Sequence, residues 1–174
     1  LDRLIAAYYA QYGEDKVIEY RRLLQSISAE DRTLLMERMD DFAKKYPQYA
    51  DLMPVRESIY RLNELEAIQL QIRIQQYEIG AIEQDELQRH FSEQARRAAN
   101  MAAEELGFGK DFYRYDSEVV KATVGAAWAS GEDFSARIWA NRERLASYLN
   151  DDFSKLIARG VSYDEISREL RARL

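Results

Sequence analysis

The run from Val55 to Ile79 constrains this chain more than any other feature. Within it Val55, Ile59, Leu62, Leu65, Ile68, Ile72 and Tyr77 recur close to the α-helical period. Apolar residues three and four apart line one face of a helix, whereas a half-buried strand would alternate them. At ~1.5 Å per residue the predicted helix runs about 40 Å. Pro54 suits its start, where a missing N–H costs nothing, and Gly80 is expected to end it. A second long helix is predicted from Gln84 to Leu106, with Leu87, Phe91, Ala95, Ala98, Ala99, Ala102 and Leu106 inward and Gly107 and Gly109 closing it. A short link between two such helices implies an antiparallel hairpin, and the alanine-rich face would admit a close neighbour.

The flanking sequence is also helical in pattern. Leu4, Ile5, Tyr8, Tyr9 and Tyr12 mark a first helix stopped by Gly13, and a short helix is expected over Lys16–Leu24. Ser28 and Asp31 form a start signal, in which the hydroxyl accepts the amide three residues on. Leu34, Leu35, Arg38, Met39 and Phe42 continue that helix toward Pro47. Phe112–Tyr115 reads as an extended connector. Ser117 can cap a helix through Ala129, Gly131 breaks the pattern, and Asp133 can cap a helix from Phe134 to Ala158. Gly160 stops that helix, and the capping box Ser162-x-x-Glu165 opens a last one, Tyr163–Leu174. The expectation is an all-α fold, an elongated multi-helix bundle with a long antiparallel helical hairpin. Residues 1–110 would carry the hairpin and residues 111–174 a second helical region, together one continuous domain.

Composition narrows the function. Two prolines in 174 residues leave little room for the turns of an all-β fold. A net charge of −6 gives no global field toward DNA or an anionic membrane. No cysteine is present, which excludes disulfides and thiolate metal sites. No run approaches the ~18 apolar residues of a membrane span, and no signal peptide is visible. The chain opens on Leu1 and closes on Leu174 inside helical patterns, as an excised fragment of a longer protein would.

No catalytic, cofactor-binding or metal-binding residues are expected, and the chain does not read as an enzyme. The lone histidine, His90, shares a helix face with Glu86 and Glu93, but it lacks a second histidine and the Glu-x-x-His spacing of a helical di-iron site. Gly107-Phe108-Gly109-Lys110 lacks the spacing and the preceding strand of a phosphate loop, and reads as a helix C-cap. Acids and bases alternate at helical distance, as in Glu93/Arg97 and Glu165/Arg168. The most basic stretch is the C-terminal end, Arg159, Arg168, Arg171 and Arg173. Its cations can simply face helix C-termini; the functional alternative is a nucleic-acid contact. Tyr8, Tyr9, Tyr12 and Tyr20 suit an interface and a half-buried core equally.

The most specific stretch is Ser117–Leu170. It holds Ser117-Glu118-Val119-Val120, then Trp128-Ala129-Ser130-Gly131-Glu132-Asp133-Phe134-Ser135-Ala136-Arg137-Ile138-Trp139-Ala140-Asn141, then Leu145, and after Gly160 the run Ser162-Tyr163-Asp164-Glu165-Ile166. This resembles the head-morphogenesis family of tailed phages, the Mu F-like minor head proteins, in its N-terminal helical part. Those proteins carry a Gly-x-x-Phe-Ser-x-Arg-Ile-Trp-x-Asn stretch, a long helix and a Gly-x-Ser-Tyr-x-x-Ile helix. The upstream order is similar as well: a tyrosine-rich helix, the short Arg21–Leu24 segment, then a long helical hairpin. Physically the motif supplies one apolar stripe of Phe134, Ile138, Trp139 and Leu145, with Trp128 packing from the preceding helix and Asn141 placed to bond a loop.

The resemblance implies a structural protein of prohead assembly that docks on portal, capsid or scaffold protein, with DNA touched during packaging or ejection. Its place would be the virion or prohead, and the bacterial cytoplasm during assembly. It implies no catalysis, and it implies a further α/β domain beyond a position like Leu174.

Overall fold

The computed structural model describes all residues except 15–16, 110, 115–116, 127–132 and 173–174. Trp128, Gly131 and Arg173 therefore lie outside the described residues, as do the expected helix end at Ala129 and parts of the Lys16 and Tyr115 segments. Among the described residues the fold is all-α apart from one pair of two-residue strands. In order, α1 is Asp2–Tyr12, β1 Gly13–Glu14, β2 Val17–Ile18, α2 Tyr20–Leu23 and α3 Ala29–Lys45. A 3₁₀ stretch, Pro47–Leu52, leads to α4, Arg56–Ile59, and then to α5, Glu64–Glu105. Last come α6, Glu118–Val124, α7, Phe134–Ala158, and α8, Tyr163–Arg171. No helix among the described residues is long and apolar enough to cross a membrane.

The largest departure from expectation is α5. Gly80 does not end a helix; it is buried within one that continues for 42 residues. An interior glycine costs ~1 kcal/mol against alanine. That is small beside the burial of Ile72, Ile74, Tyr77 and Ala81 around it. The true start also differs. Val55 is exposed, α4 stops after one turn, and the long helix opens at Asn63. There a reciprocal capping box forms: Glu66 N–H donates to Asn63 Oδ1 and Asn63 N–H to Glu66 Oε2, both at 2.8 Å. The expected hairpin of two long helices is thus a single helix, and the antiparallel neighbour of the first part of α5 is α7. From Gln69 to Tyr77 along α5, the partners run backward from Ser154 to Arg142 along α7: Gln69 to Ser154 at 2.8 Å, Arg142 to Gln76 at 3.2 Å and Tyr77 to Glu143 at 2.7 Å.

The Lys16–Leu24 helix is replaced by the β-hairpin and the four-residue α2. Gly13 pairs with Ile18 and Glu14 with Val17, and the β-branched residues at 17 and 18 favour that extended form. Gly13 does not take a left-handed stop conformation. Its φ of −85° is extended, and it is needed because a Cβ there would lie 2.5 Å from the Tyr9 carbonyl oxygen.

The other start signals hold. Ser28 accepts the Asp31 amide at 3.0 Å, Asp133 the Ala136 amide at 2.8 Å and Ser162 the Glu165 amide at 3.4 Å. Ser117 caps α6, which stops at Gly125 rather than continuing to Ala129. α8 closes at Arg171.

Contacts group the chain into two compact units, Leu1–Glu78 with Arg142–Leu174, and Ile79–Asn141. In the first, Ile5, Tyr8, Tyr9 and Ile18 pack with Ile68, Ile72, Leu149, Phe153, Ile157, Ile166 and Leu170. In the second, Val120 and Val124 of α6 meet Phe134 and Ile138 of α7, with Phe91 and Ala95 of α5 against them. The inward face at the end of α5 is thus displaced from expectation: Ala103 is buried, while Leu87, Ala98, Ala102 and Leu106 are exposed.

Candidate functional site

The first unit contains a polar junction where three helices meet. The segments leading into α3 and α5 are zipped together, with Ile27 N–H donating to the Leu62 carbonyl and Glu64 N–H to the Gln25 carbonyl, both at 3.0 Å. Two helix N-termini therefore lie side by side, each bringing a carboxylate, Asp31 and Glu64, and both are almost fully buried. Positive helix ends favour such groups. Asp31 Oδ2 accepts from Ser28 Oγ at 2.8 Å, from Gln11 Nε2 at 3.0 Å and from the Tyr12 hydroxyl. Glu64 Oε1 accepts the Ser28 amide at 2.7 Å. Burial pushes the Glu64 carboxyl above its ordinary range, and the charge of Asp31 adds to this, while the Ser28 amide and the Tyr12 hydroxyl oppose it.

Beside this junction a groove of about 670 Å³ opens between α1 and α3, walled by Leu1, Leu4, Ala7, Leu34 and Glu37 among others, with Gln71 and Gln75 of α5 also lining it. A relay crosses it: Arg38 donates to Gln71 Oε1 at 3.0 Å, and Gln71 donates to the Tyr8 hydroxyl at 2.6 Å. Burial first, then the neighbouring Asp31 and Glu64 charges, push the Tyr8 phenol well above its ordinary value. The tyrosines of α1 are thus committed to packing and internal bonds. Tyr9 donates to the Val161 carbonyl at 2.9 Å and stacks edge-on with Tyr163 at 5.6 Å. Only Tyr20 of the four is exposed.

The second unit presents a different surface. α5 ends in a Schellman motif: Gly107 N–H donates to the Glu104 carbonyl at 3.0 Å and Phe108 N–H to the Ala103 carbonyl at 2.9 Å. Gly107 has φ +81°, where glycine alone is unstrained. This is the C-cap expected at Gly107-Phe108-Gly109. Beyond it Asn100 clasps the backbone of Tyr113, donating to its carbonyl at 3.0 Å and accepting its amide at 2.7 Å. The clasp lines up three rings, Phe108 to Phe112 at 5.2 Å and Phe112 to Tyr113 at 4.9 Å. Leu106 is 74% exposed, Met101 68%, Phe108 61% and Phe112 51%. Of these, Phe108 and Phe112 are a contiguous bare apolar pair.

The motif residues fall into separate places. Phe134 and Ile138 are core of the second unit, and Leu145 packs in the first, so the expected single stripe is divided. Trp139 is half-buried rather than a core anchor; its Nε1 donates to Gln84 Oε1 at 3.1 Å, which also accepts the Ser135 hydroxyl at 2.5 Å. Arg137 and Asn141 are exposed. Gly160 has φ +69°, Tyr163 packs on the first core, and Ile166 is fully buried.

Of the C-terminal arginines, Arg171 binds Asp2 at 2.7 Å, and Arg168 lies 4.0 Å from Glu169. Arg159 is exposed. His90 is exposed beside Phe91, and among the described residues no three histidine or acidic side chains converge as a metal site. The long capping box at Asn63 and the Phe108–Tyr113 cluster are what sequence reading missed. The first has a legible signal, Asn63-x-x-Glu66; the second depends on Asn100 reaching thirteen residues ahead.

These surfaces belong to an all-α helical module. Compared with protein-family models, curated proteins and solved structures, the chain matches none.

Proposed function

We propose that this chain is a structural assembly module of a tailed-phage head, a minor head protein that docks on portal or capsid protein. The resemblance of Ser117–Leu170 to the Mu F-like minor head proteins supplies the setting. The observation that carries the docking role is the row of rings that follows α5, in which Phe108 and Phe112 are exposed and the half-buried Tyr113 backs Phe112. Aromatic side chains gain most when an interface buries them, because they bring large area at little conformational cost. The Asn100 clasp fixes this row before any partner arrives, which lowers the ordering cost of binding.

The nucleic-acid alternative finds less support, since Arg171 already answers Asp2. The test is copurification of the full-length protein with the portal and capsid proteins of the same phage. Phe108→Asp and Phe112→Asp are expected to remain folded by circular dichroism and to lose association at least tenfold. Retention of both variants in proheads at wild-type levels would remove this surface from the account, and absence of the wild-type protein from proheads would remove the function.

A further inference from the structure

Asp31 and Glu64 are unequal. Asp31 is 6% exposed and has three donors on one oxygen; Glu64 is 3% exposed and accepts the Ser28 amide on Oε1. Glu64 Oε2 is buried with no hydrogen-bond partner among the described residues. An ionised oxygen so placed is strongly disfavoured, and a second carboxylate close by makes it worse. A proton on Oε2 answers both objections. It neutralises Glu64 and gives the orphan atom something to donate. The Tyr12 hydroxyl lies beside both acids; it donates to Asp31 and accepts from Gln11 Nε2 at 3.0 Å, so an ionised Glu64 competes with Asp31 for its one proton, while a protonated Glu64 leaves that proton on Asp31.

The remaining groups around the cluster do not supply a counter-charge in its place. From α1 come the neutral Tyr8, Gln11 and Tyr12; from α3 comes Arg38, which donates to Gln71. Arg22 donates to the Tyr12 carbonyl at 3.5 Å. No ion pair between either acid and a cation is found among the described residues. The bonds of the cluster join two pairs of elements: Tyr12 and Gln11 tie α1 to α3, and the Ser28 amide ties the start of α3 to α5.

We propose that the Glu64–Tyr12–Asp31 cluster is a proton-operated latch, in which one proton carried on Glu64 fastens α1 to the joined starts of α3 and α5, and its loss frees α1. The sign follows from linkage. A carboxyl raised in the folded state contributes fully below its ordinary value, and that contribution is lost as pH rises through the raised value. Between those two values the opening of α1 grows by up to about tenfold per pH unit and then levels off.

Two measurements on the full chain test this. The Glu64 carboxyl carbon is followed by NMR from pH 3 to 9, assigned by its disappearance in Glu64→Gln. It is expected to titrate above the exposed glutamates. Amide exchange at Tyr8–Tyr12, corrected for its intrinsic pH dependence, is expected to accelerate through the same interval in the wild type and to stay flat in the isosteric, permanently neutral Glu64→Gln. Asp31→Asn is expected to move the Glu64 transition to lower pH. Titration of Glu64 together with the exposed glutamates, or identical exchange profiles for wild type and Glu64→Gln, overturns the latch.

Discussion

At the scale of single residues, stability rests on a few long-range polar bonds inside an apolar core. Tyr9 is the clearest case: its ring is buried and its hydroxyl reaches the Val161 carbonyl, 152 residues away, at 2.9 Å. Tyr9→Phe keeps the ring and strands the carbonyl, so it is expected to cost about 1–2 kcal/mol, read from urea unfolding. An unchanged midpoint would mean that water replaces the lost donor. The tyrosines show how far residue-level reading reaches. Their spacing put them on one helix face, but whether they faced a partner or a core depended on what else folded onto α1. That answer comes from Val161, Tyr163 and Gln71, which are remote in sequence. The motif divides for the same reason: Phe134, Ile138 and Leu145 share a period, yet they serve different cores.

At the scale of elements, caps were the most legible features and interruptions the least. Ser28, Ser117, Asp133 and Ser162 each cap where their side-chain chemistry says they should, because a cap is decided within four residues. Gly80 and Pro54 misled, since both are local preferences worth little against tertiary burial. Asn63 was overshadowed by Val55 and Ile59, which extend the apolar period backward past the real start. Asn63→Ala removes one half of a reciprocal box, and a loss of ~1 kcal/mol is expected. Fraying confined to Glu64–Ala67 in amide exchange is the accompanying sign; uniform protection across that turn would show the cap to be dispensable.

At the scale of the whole molecule, the all-α class was readable from periodicity, while the pairing of α5 with α7 was not, because nothing local distinguishes one amphipathic partner from another. The buried phenols give the molecule an alkaline limit. Burial pushes Tyr9 up to about 12, and Tyr8 and Tyr77 are raised further. Raised values mean that stability is complete below the ordinary tyrosine value, ~10, and falls as pH rises through the folded values. Phenolate absorbance is expected to lag behind that of exposed tyrosines and then to rise together with loss of helix; smooth titration of every tyrosine with the helix intact would contradict the burial described.

The first unit is assembled from both ends of the sequence: Asp2 of α1 bonds Arg171 and Ser167 of α8, with the whole second unit encoded between them. During synthesis α1 leaves the ribosome 165 residues ahead of the serine of α8 that it bonds, and its apolar face stays uncovered over that interval. Closure of this unit therefore has to wait for α8, and α1 is the part most in need of cover until then.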